Sequence, residues 1–126
     1  MYKILIVDDD ILTLSVYSRL LILKGYQVST CNTAVGIFGT IIKYRPDVIL
    51  MDYQMPAVSG LEAIKQLKSN DHFKFIPVIF FSSVTNLPEL AQEAGADGYL
   101  SKISSNEELF AIIQEMTDRL HPTQGL

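Results

Sequence analysis

The sequence predicts a doubly wound α/β domain, in which five βα units, (βα)5, build a five-stranded parallel sheet. Its 126 residues suit one domain with a substantial core. Short uninterrupted apolar runs, rather than alternating apolar and polar residues, predict strands that are buried on both faces. Successive strands start 21 to 29 residues apart, which leaves room for one helix and two loops and exceeds what a hairpin needs. The predicted strands begin near Lys3, Tyr26, Asp47, Ile76 and Asp97.

Helices are expected after the first two strands. Asp10 can cap the first of them, and Gly25 can end it. A second helix is expected from Thr33 to Tyr44, weakened by two internal glycines and closed by Pro46. Apolar residues at helical spacing predict the core-facing side of the first helix. These residues are Leu12, Val16, Leu20 and Leu23.

The remaining three helices carry clearer start signals. A Ser-x-x-Glu capping-box pattern at Ser59 predicts the start of the third helix. The fourth is expected to open at Asn86 and to end at Gly95. The same Ser-x-x-Glu pattern at Ser104 predicts the start of the fifth helix, which has the clearest apolar stripe. The stripe consists of Leu109, Ile112, Ile113, Met116 and Leu120.

The composition excludes several classes of protein. A single cysteine, Cys31, excludes an internal disulfide framework and is expected to be a small buried hydrophobe. The net charge of −4 argues against a broad surface for nucleic acid or anionic membrane. No apolar run approaches the ~18 residues of a membrane span, and no signal-peptide pattern follows Met1, so a cytoplasmic protein is expected. We expect one domain over residues 1–120 and a tail or linker start over 121–126.

Chemically active residues stand where the predicted strands end. Asp8 and Asp9 follow the first strand, Asp52 the third, Ser82 the fourth and Lys102 the fifth. In open parallel sheets the ligand sits at this edge. Two carboxylates ~4 Å apart repel by about 4 kcal/mol at an effective dielectric of 20, a repulsion that Mg²⁺ relieves. The acidic loop after the first strand argues against a nucleotide or flavin site, because a phosphate cradle there is rich in glycine.

Four segments carry a more specific pattern. They are Ile4 to Asp10, Asp47 to Pro56 with Ser59-Gly60 behind it, Pro77 to Ser82, and Gly95 to Lys102. Together they make the chain, from Lys3 to about Leu120, similar to the receiver domain of response regulators in two-component signalling systems. The resemblance implies the flavodoxin-like, CheY-like version of the predicted fold.

The resemblance also implies a role for each matching residue. Asp52 matches the phosphoacceptor, which receives a phosphoryl group from a phosphohistidine on a sensor kinase or phosphotransfer protein. Asp8 and Asp9 match the acidic pair that holds Mg²⁺, Asp9 directly and Asp8 through water. Asp52 and the backbone carbonyl of Gln54 complete the implied ligand set. Lys102 matches the lysine that neutralises the phosphoryl oxygens.

A conformational switch is implied as well. Ser82 matches the hydroxyl that turns inward to bond the new phosphoryl group, and Tyr99 matches the aromatic side chain that follows it. The fourth helix, fifth strand and fifth helix would form the face that changes and controls an effector protein or a fused output domain. Such a domain catalyses only its own phosphorylation and dephosphorylation, so it is not an enzyme in the turnover sense. Phosphorylation-dependent dimerisation stays open, and no segment for binding nucleic acid or membrane is seen.

One departure from the family pattern keeps other functions open. Ile103 follows Lys102 where the family usually has a proline in a cis peptide, so the loop is either trans or strained. The departure motivates an alternative, a receiver-like interaction module that works without phosphorylation. A third hypothesis is a Mg²⁺-dependent phosphotransferase acting on small molecules through an aspartyl intermediate, although the five βα units leave no chain for a substrate-binding cap.

Overall fold

The computed structural model describes residues 1–120, and these form the predicted alternation of strands and helices. The strands are β1 (Lys3–Val7), β2 (Gln27–Cys31), β3 (Val48–Met51), β4 (Val78–Ser82) and β5 (Gly98–Ser101). The helices are α1 (Ile11–Leu23), α2 (Ile37–Tyr44), α3 (Gly60–Lys68), α4 (Leu87–Ala94) and α5 (Asn106–Leu120). All strand pairs are parallel, in the order β2-β1-β3-β4-β5, which confirms the doubly wound (βα)5 fold. The predicted tail, 121–126, lies outside the described residues.

The sheet separates two hydrophobic layers. Because neighbouring side chains of a strand point to opposite faces, Leu5 and Val7 pack with α2, α3 and α4, whereas Ile4 and Ile6 pack with α1 and α5. Every residue of β3 and β4 is buried. This burial on both faces is the reason that the strands appear in the sequence as uninterrupted apolar runs.

The predicted core face of α1 is wrong. Leu14 and Leu21 are the buried residues of this helix. In contrast, Leu12, Val16 and Leu23 are 73%, 51% and 86% exposed, and Leu20 is only partly buried. The helix carries apolar residues all round, so periodicity alone does not select the side that meets the sheet. The position of the sheet and of α5 makes that selection.

The second helix is shorter than predicted. It begins at Ile37 rather than Thr33, because Gly36 adopts a left-handed conformation with φ 73° at its N-cap. A residue with positive φ interrupts a right-handed helix, so the four residues before Ile37 stay outside the helix, and Val35 and Gly36 form a turn. The predicted end is confirmed at Tyr44, ahead of Pro46.

Two helix starts are confirmed and one is displaced. The capping box at Ser59 is present before α3, and α4 runs between Asn86 and a left-handed Gly95 as predicted. The box before α5 is formed by Ser105 and Glu108, one residue after the predicted position at Ser104. Consecutive serines and glutamates offer both registers, and the structure uses the second, with α5 beginning at Asn106.

None of the helices within residues 1–120 has the length and hydrophobicity that crossing a membrane requires.

Candidate functional site

Three carboxylates meet at the carboxyl edge of the sheet. β1 and β3 are adjacent, so the residues that follow them, Asp8 and Asp52, are brought side by side. One carboxylate oxygen from each of Asp8, Asp9 and Asp52 lies within 4.8 Å of the others. Asp8 and Asp52 are 1% and 8% exposed, whereas Asp9 faces solvent. We call these three residues together with Lys102 the acidic site.

Backbone contacts fix the two buried carboxylates. The amide of Asp52 donates to the carbonyl of Val7 at 2.9 Å, which extends the β1–β3 ladder beyond the strand. The Asp8 carboxylate accepts a hydrogen bond from the amide of Asp10 at 2.9 Å. The side chain of Asp10 points elsewhere and caps α1 through the amide of Leu12, as the sequence predicts. The third aspartate of the run is therefore a helix cap and lies outside the acidic site.

Lys102 brings one positive charge to these carboxylates. Its Nζ atom lies 2.6 Å from Oδ2 of Asp8 and 3.2 Å from Oδ1 of Asp52, and its side chain is 20% exposed. Burial acts to lower the pKa of Lys102, but hydrogen bonding and charge attraction from Asp8 and Asp52 outweigh it and raise the pKa. The ammonium group is therefore held in its charged form.

The charge of the site is not balanced by Lys102 alone. Burial and the neighbouring charge of Asp8 raise the pKa of Asp52, and contact with Lys102 offsets this only in part. With all three carboxylates ionised, one ammonium group leaves an excess of two negative charges. A divalent cation would cancel that excess. Clustered carboxylate oxygens are also the donors that Mg²⁺ prefers, so these residues fit the ion.

The loop between β3 and α3 forms one wall beside Asp52. Gln54 lies in this loop and helps to line an open cleft of about 420 Å³ with Tyr53, Met55, Pro56 and Ser59. The side chain of Gln54 faces solvent. Its predicted role, a metal ligand through the backbone carbonyl, stays a prediction.

The two predicted switch residues lie at neighbouring strands. Ser82 ends β4 and is 3% exposed, and its hydroxyl accepts a hydrogen bond from the amide of Val84 at 3.4 Å. Tyr99 is in the edge strand β5, opposite Phe80, and its side chain is 49% exposed. A cavity of about 500 Å³ opens between α4 and α5, with Tyr99 in its lining.

The structure shows whether the peptide bond between Lys102 and Ile103 is cis or trans. No cis peptide bond occurs in the described residues, so the Lys102–Ile103 bond is trans. Lys102 reaches both carboxylates in this conformation.

The single cysteine differs from its prediction. Cys31 is half-buried rather than fully buried, because it ends the edge strand β2, and its thiol donates to the carbonyl of Thr33 at 3.0 Å.

One contact of Lys102 could not be expected from the sequence. The hydroxyl of Tyr17, in α1, donates to the backbone carbonyl of Lys102 at 3.3 Å. The two residues are 85 positions apart, and the helical pattern gives Tyr17 no special place. Recognising it required knowing which face of α1 meets the sheet, which the apolar pattern predicted wrongly.

Comparison with known proteins agrees with this geometry. Residues 4–114 match the family model of the response regulator receiver domain. The polar-differentiation response regulator DivK of Brucella anthropi is 34% identical over 102 residues, covering 79% of this chain and 83% of DivK. The response regulator MprA of Mycobacterium sp. strain KMS is 33% identical over 98% of the chain, which spans 54% of MprA. The chain is therefore about half as long as that relative.

Solved structures show the same architecture. The chemotaxis response regulator CheY4 of Vibrio cholerae superposes with a TM-score of 0.81 and 34% identity, covering 92% of this chain and 98% of CheY4. The receiver domain of the sensor histidine kinase PA1611 from Pseudomonas aeruginosa has a TM-score of 0.82 and 26% identity, covering 91% and 96%. In that domain a magnesium ion is coordinated in the active-site cleft.

Proposed function

Because the chain belongs to the response regulator receiver family, whose role is phosphorylation-dependent signalling, we propose that Asp52 is its phosphoacceptor. The Asp52 carboxylate attacks the phosphorus atom of a phosphohistidine. An O–P bond forms as the N–P bond breaks, and the departing imidazole keeps the electron pair and takes a proton from solvent. The observation that carries the proposal is the meeting of Asp52 with Asp8, Asp9 and Lys102 at one sheet edge.

Asp8, Asp9 and Asp52 would hold Mg²⁺, with the backbone carbonyl of Gln54 as a further ligand. When bound, the ion supplies positive charge against the carboxylates and the incoming phosphoryl oxygens. The spacing of the carboxylate oxygens and the excess negative charge support this assignment. The magnesium ion of the PA1611 receiver domain supports it independently.

Lys102 would pair with the transferred phosphoryl group. Phosphorylation replaces one carboxylate charge by a group with nearly two charges and three acceptor oxygens. The ammonium group lies 3.2 Å from Asp52 and is the nearest cation to that carboxylate among the described residues. A shift of Lys102 from Asp8 towards the phosphoryl oxygens would keep it paired throughout the reaction.

Ser82 and Tyr99 would convert the new charge into a change of shape. The Ser82 hydroxyl holds only a long hydrogen bond to Val84, so it can exchange this partner for a phosphoryl oxygen. Tyr99 is half-exposed beside the cavity between α4 and α5, where an aromatic ring has room to move. The α4–β5–α5 surface is then the face that a downstream effector or a fused output domain would read.

The partners follow from this chemistry. A histidine kinase or a histidine phosphotransfer protein would supply the phosphoryl group, and an effector protein or output domain would respond to it. The chain would catalyse only its own phosphorylation and dephosphorylation, in the cytoplasm. Dimer formation on phosphorylation is one way in which the changed face could act.

The test is intact mass after incubation with acetyl phosphate, with and without Mg²⁺. We expect the wild-type chain to gain one phosphoryl group only with Mg²⁺, and Asp52→Asn to gain none. Asp10→Asn is the matched control, because it removes a carboxylate of the same run that caps α1 instead of facing the acidic site. This variant should be phosphorylated to the wild-type extent.

The other outcomes separate the alternatives. Phosphorylation that persists in Asp52→Asn would show that another residue is the acceptor. No gain under any condition, together with no binding of Mg²⁺, would favour an interaction module that works without phosphorylation. Sustained release of phosphate from small phosphate esters would favour the small-molecule phosphotransferase.

A further inference from the structure

The hydroxyl of Tyr17 joins α1 to the chain that carries Lys102. It donates to the backbone carbonyl of Lys102 at 3.3 Å. Its ring packs edge-on against Phe81, with 4.9 Å between the ring centroids and 88° between the planes. Phe81 is 2% exposed and directly precedes Ser82 in β4. A buried ring therefore fixes the direction in which the hydroxyl points.

The backbone of Lys102 is consequently held on both sides. Its amide donates to the carbonyl of Ser82 at 3.0 Å, and its carbonyl accepts from Tyr17. Its side chain spans from this anchored backbone to Asp8 and Asp52. Because a lysine side chain is a flexible four-carbon stem, the place of its ammonium group depends on where the backbone is fixed.

The residues after Lys102 add little restraint from outside the turn. Ile103 has a side chain that is 90% exposed and a trans peptide bond, and its amide donates to the hydroxyl of Ser101 at 3.3 Å. The amide of Ser104 donates to the carbonyl of Ser101 at 3.0 Å. Both hydrogen bonds stay within the turn, whereas the Tyr17 hydroxyl ties the turn to another element.

We propose that Tyr17 is a positioning residue, which sets the place of Lys102 in the acidic site through a hydrogen bond to its backbone carbonyl. The proposal rests on the proposed function, in which Lys102 meets the phosphoryl group. Tyr17 itself touches neither Asp52 nor the phosphoryl group in this account. Misplacement of a charged group by about 1 Å can slow a reaction by up to ~100-fold, so a modest loss of restraint becomes measurable in the rate.

The first test is the variant Tyr17→Phe, which keeps the ring against Phe81 and removes only the hydroxyl. The rate of Asp52 phosphorylation by acetyl phosphate at saturating Mg²⁺ should fall by about three- to tenfold, the effect of losing one ordinary hydrogen bond. The Kd for Mg²⁺ should stay at the wild-type value, because the carboxylates are not moved. Tyr44→Phe is the control: it removes a hydroxyl just before β3, at the opposite edge of the sheet.

A double-mutant cycle separates positioning from a general structural effect. With Lys102→Ala as background, Tyr17→Phe should cause no further loss of rate, because the ammonium group on which it acts is gone. An equal loss in both backgrounds would overturn the proposal, and so would a wild-type rate for Tyr17→Phe alone.

Amide hydrogen exchange tests the restraint without any phosphorylation. Tyr17→Phe should speed exchange at Lys102 and Ser104 while the amides of β3 and β4 keep their protection. Unchanged exchange at Lys102 and Ser104 would contradict the proposal. If the wild-type chain takes up no phosphoryl group but exchange still changes in this way, the proposed function fails and the restraint on Lys102 stands.

Discussion

Gly60 shows how one residue sets the position of the proposed phosphoacceptor. A Cβ atom at Gly60 would lie 1.7 Å from the carbonyl oxygen of Asp52 and 2.8 Å from its carbonyl carbon. The Gly60 amide donates to the carbonyl of Tyr53 at 2.7 Å. The start of α3 therefore lies directly against the backbone that carries Asp52, and only glycine permits this approach. The atoms that a side chain would meet belong to the backbone and cannot rotate away.

We expect Gly60→Ala to lower the free energy of unfolding by about 1–3 kcal/mol, because α3 or the Asp52 backbone must move to admit the methyl group. Gly39→Ala is the matched control. Gly39 is exposed and is the third residue of α2, and a Cβ atom there meets nothing within 4 Å. This change should raise stability by about 0.5–1 kcal/mol through helix propensity. Urea denaturation of both variants checks the opposite signs, and equal effects would contradict the steric argument.

At the scale of residues, the sequence predicted the acidic site because its members follow strands whose carboxyl ends meet at one edge of the sheet. Once Asp8, Asp52 and Lys102 are assigned to the ends of parallel strands, their side chains are expected to lie close together. The contacts of Gly60 and Tyr17 were not predicted, because each depends on the distance between a helix and the sheet. The periodicity of apolar residues carries no information on that distance.

The start of α5 shows which of two overlapping capping patterns the helix uses. Ser105 accepts a hydrogen bond from the amide of Glu108 at 3.2 Å, and its own amide donates to the Glu108 carboxylate at 3.1 Å. Ser104, at the predicted cap position, lies in the preceding turn. Two overlapping Ser-x-x-Glu patterns were present, and local sequence gave no reason to prefer one of them.

We expect Ser105→Ala to reduce stability by about 1 kcal/mol, the usual effect of losing an N-cap side chain. Ser104→Ala should change stability by less than about 0.5 kcal/mol, since its hydroxyl does not cap the helix. Thermal or urea unfolding of the two single variants distinguishes the registers directly. A larger loss for Ser104→Ala would show that the helix begins one residue earlier.

The elements that the sequence predicted best have only one possible place in the fold. The strand β3 is apolar throughout, β4 is apolar up to Phe81, and both are buried on both faces, so their places were evident. α1 is apolar on every side, and its exposed side was taken for the buried one. The start of α2 was predicted too early. The helical pattern extends to residues before Gly36, but a regular helix cannot continue through the positive φ of Gly36, so α2 begins after it.

For the molecule as a whole, the acidic site lowers the stability of the folded chain when no cation is bound. Burial and the charge of Asp8 hold the pKa of Asp52 above its ordinary value of 3.8. The folded chain therefore binds a proton at Asp52 more tightly than the unfolded chain does. Stability from this group is fully present below pH 3.8 and is lost as the pH rises through the raised pKa. At neutral pH, ionised Asp52 thus weakens the fold.

Asp52→Asn should consequently unfold at a higher temperature than the wild-type chain at pH 7 in Mg²⁺-free buffer, because the asparagine side chain cannot ionise. The difference should shrink as the pH is lowered through the raised pKa of Asp52 and should be smallest below pH 3.8, where Asp52 is protonated in both states. Adding Mg²⁺ at about ten times its Kd should stabilise the wild-type chain by ~1.4 kcal/mol and the variant by less. Asp71→Asn, at a 90% exposed side chain far from the site, controls for net charge and should show neither effect. Two results would contradict this account: an Asp52→Asn chain that is no more stable than wild type at pH 7, or one that Mg²⁺ stabilises as much as wild type. Either would mean that the charge of buried Asp52 is not what destabilises the chain without Mg²⁺.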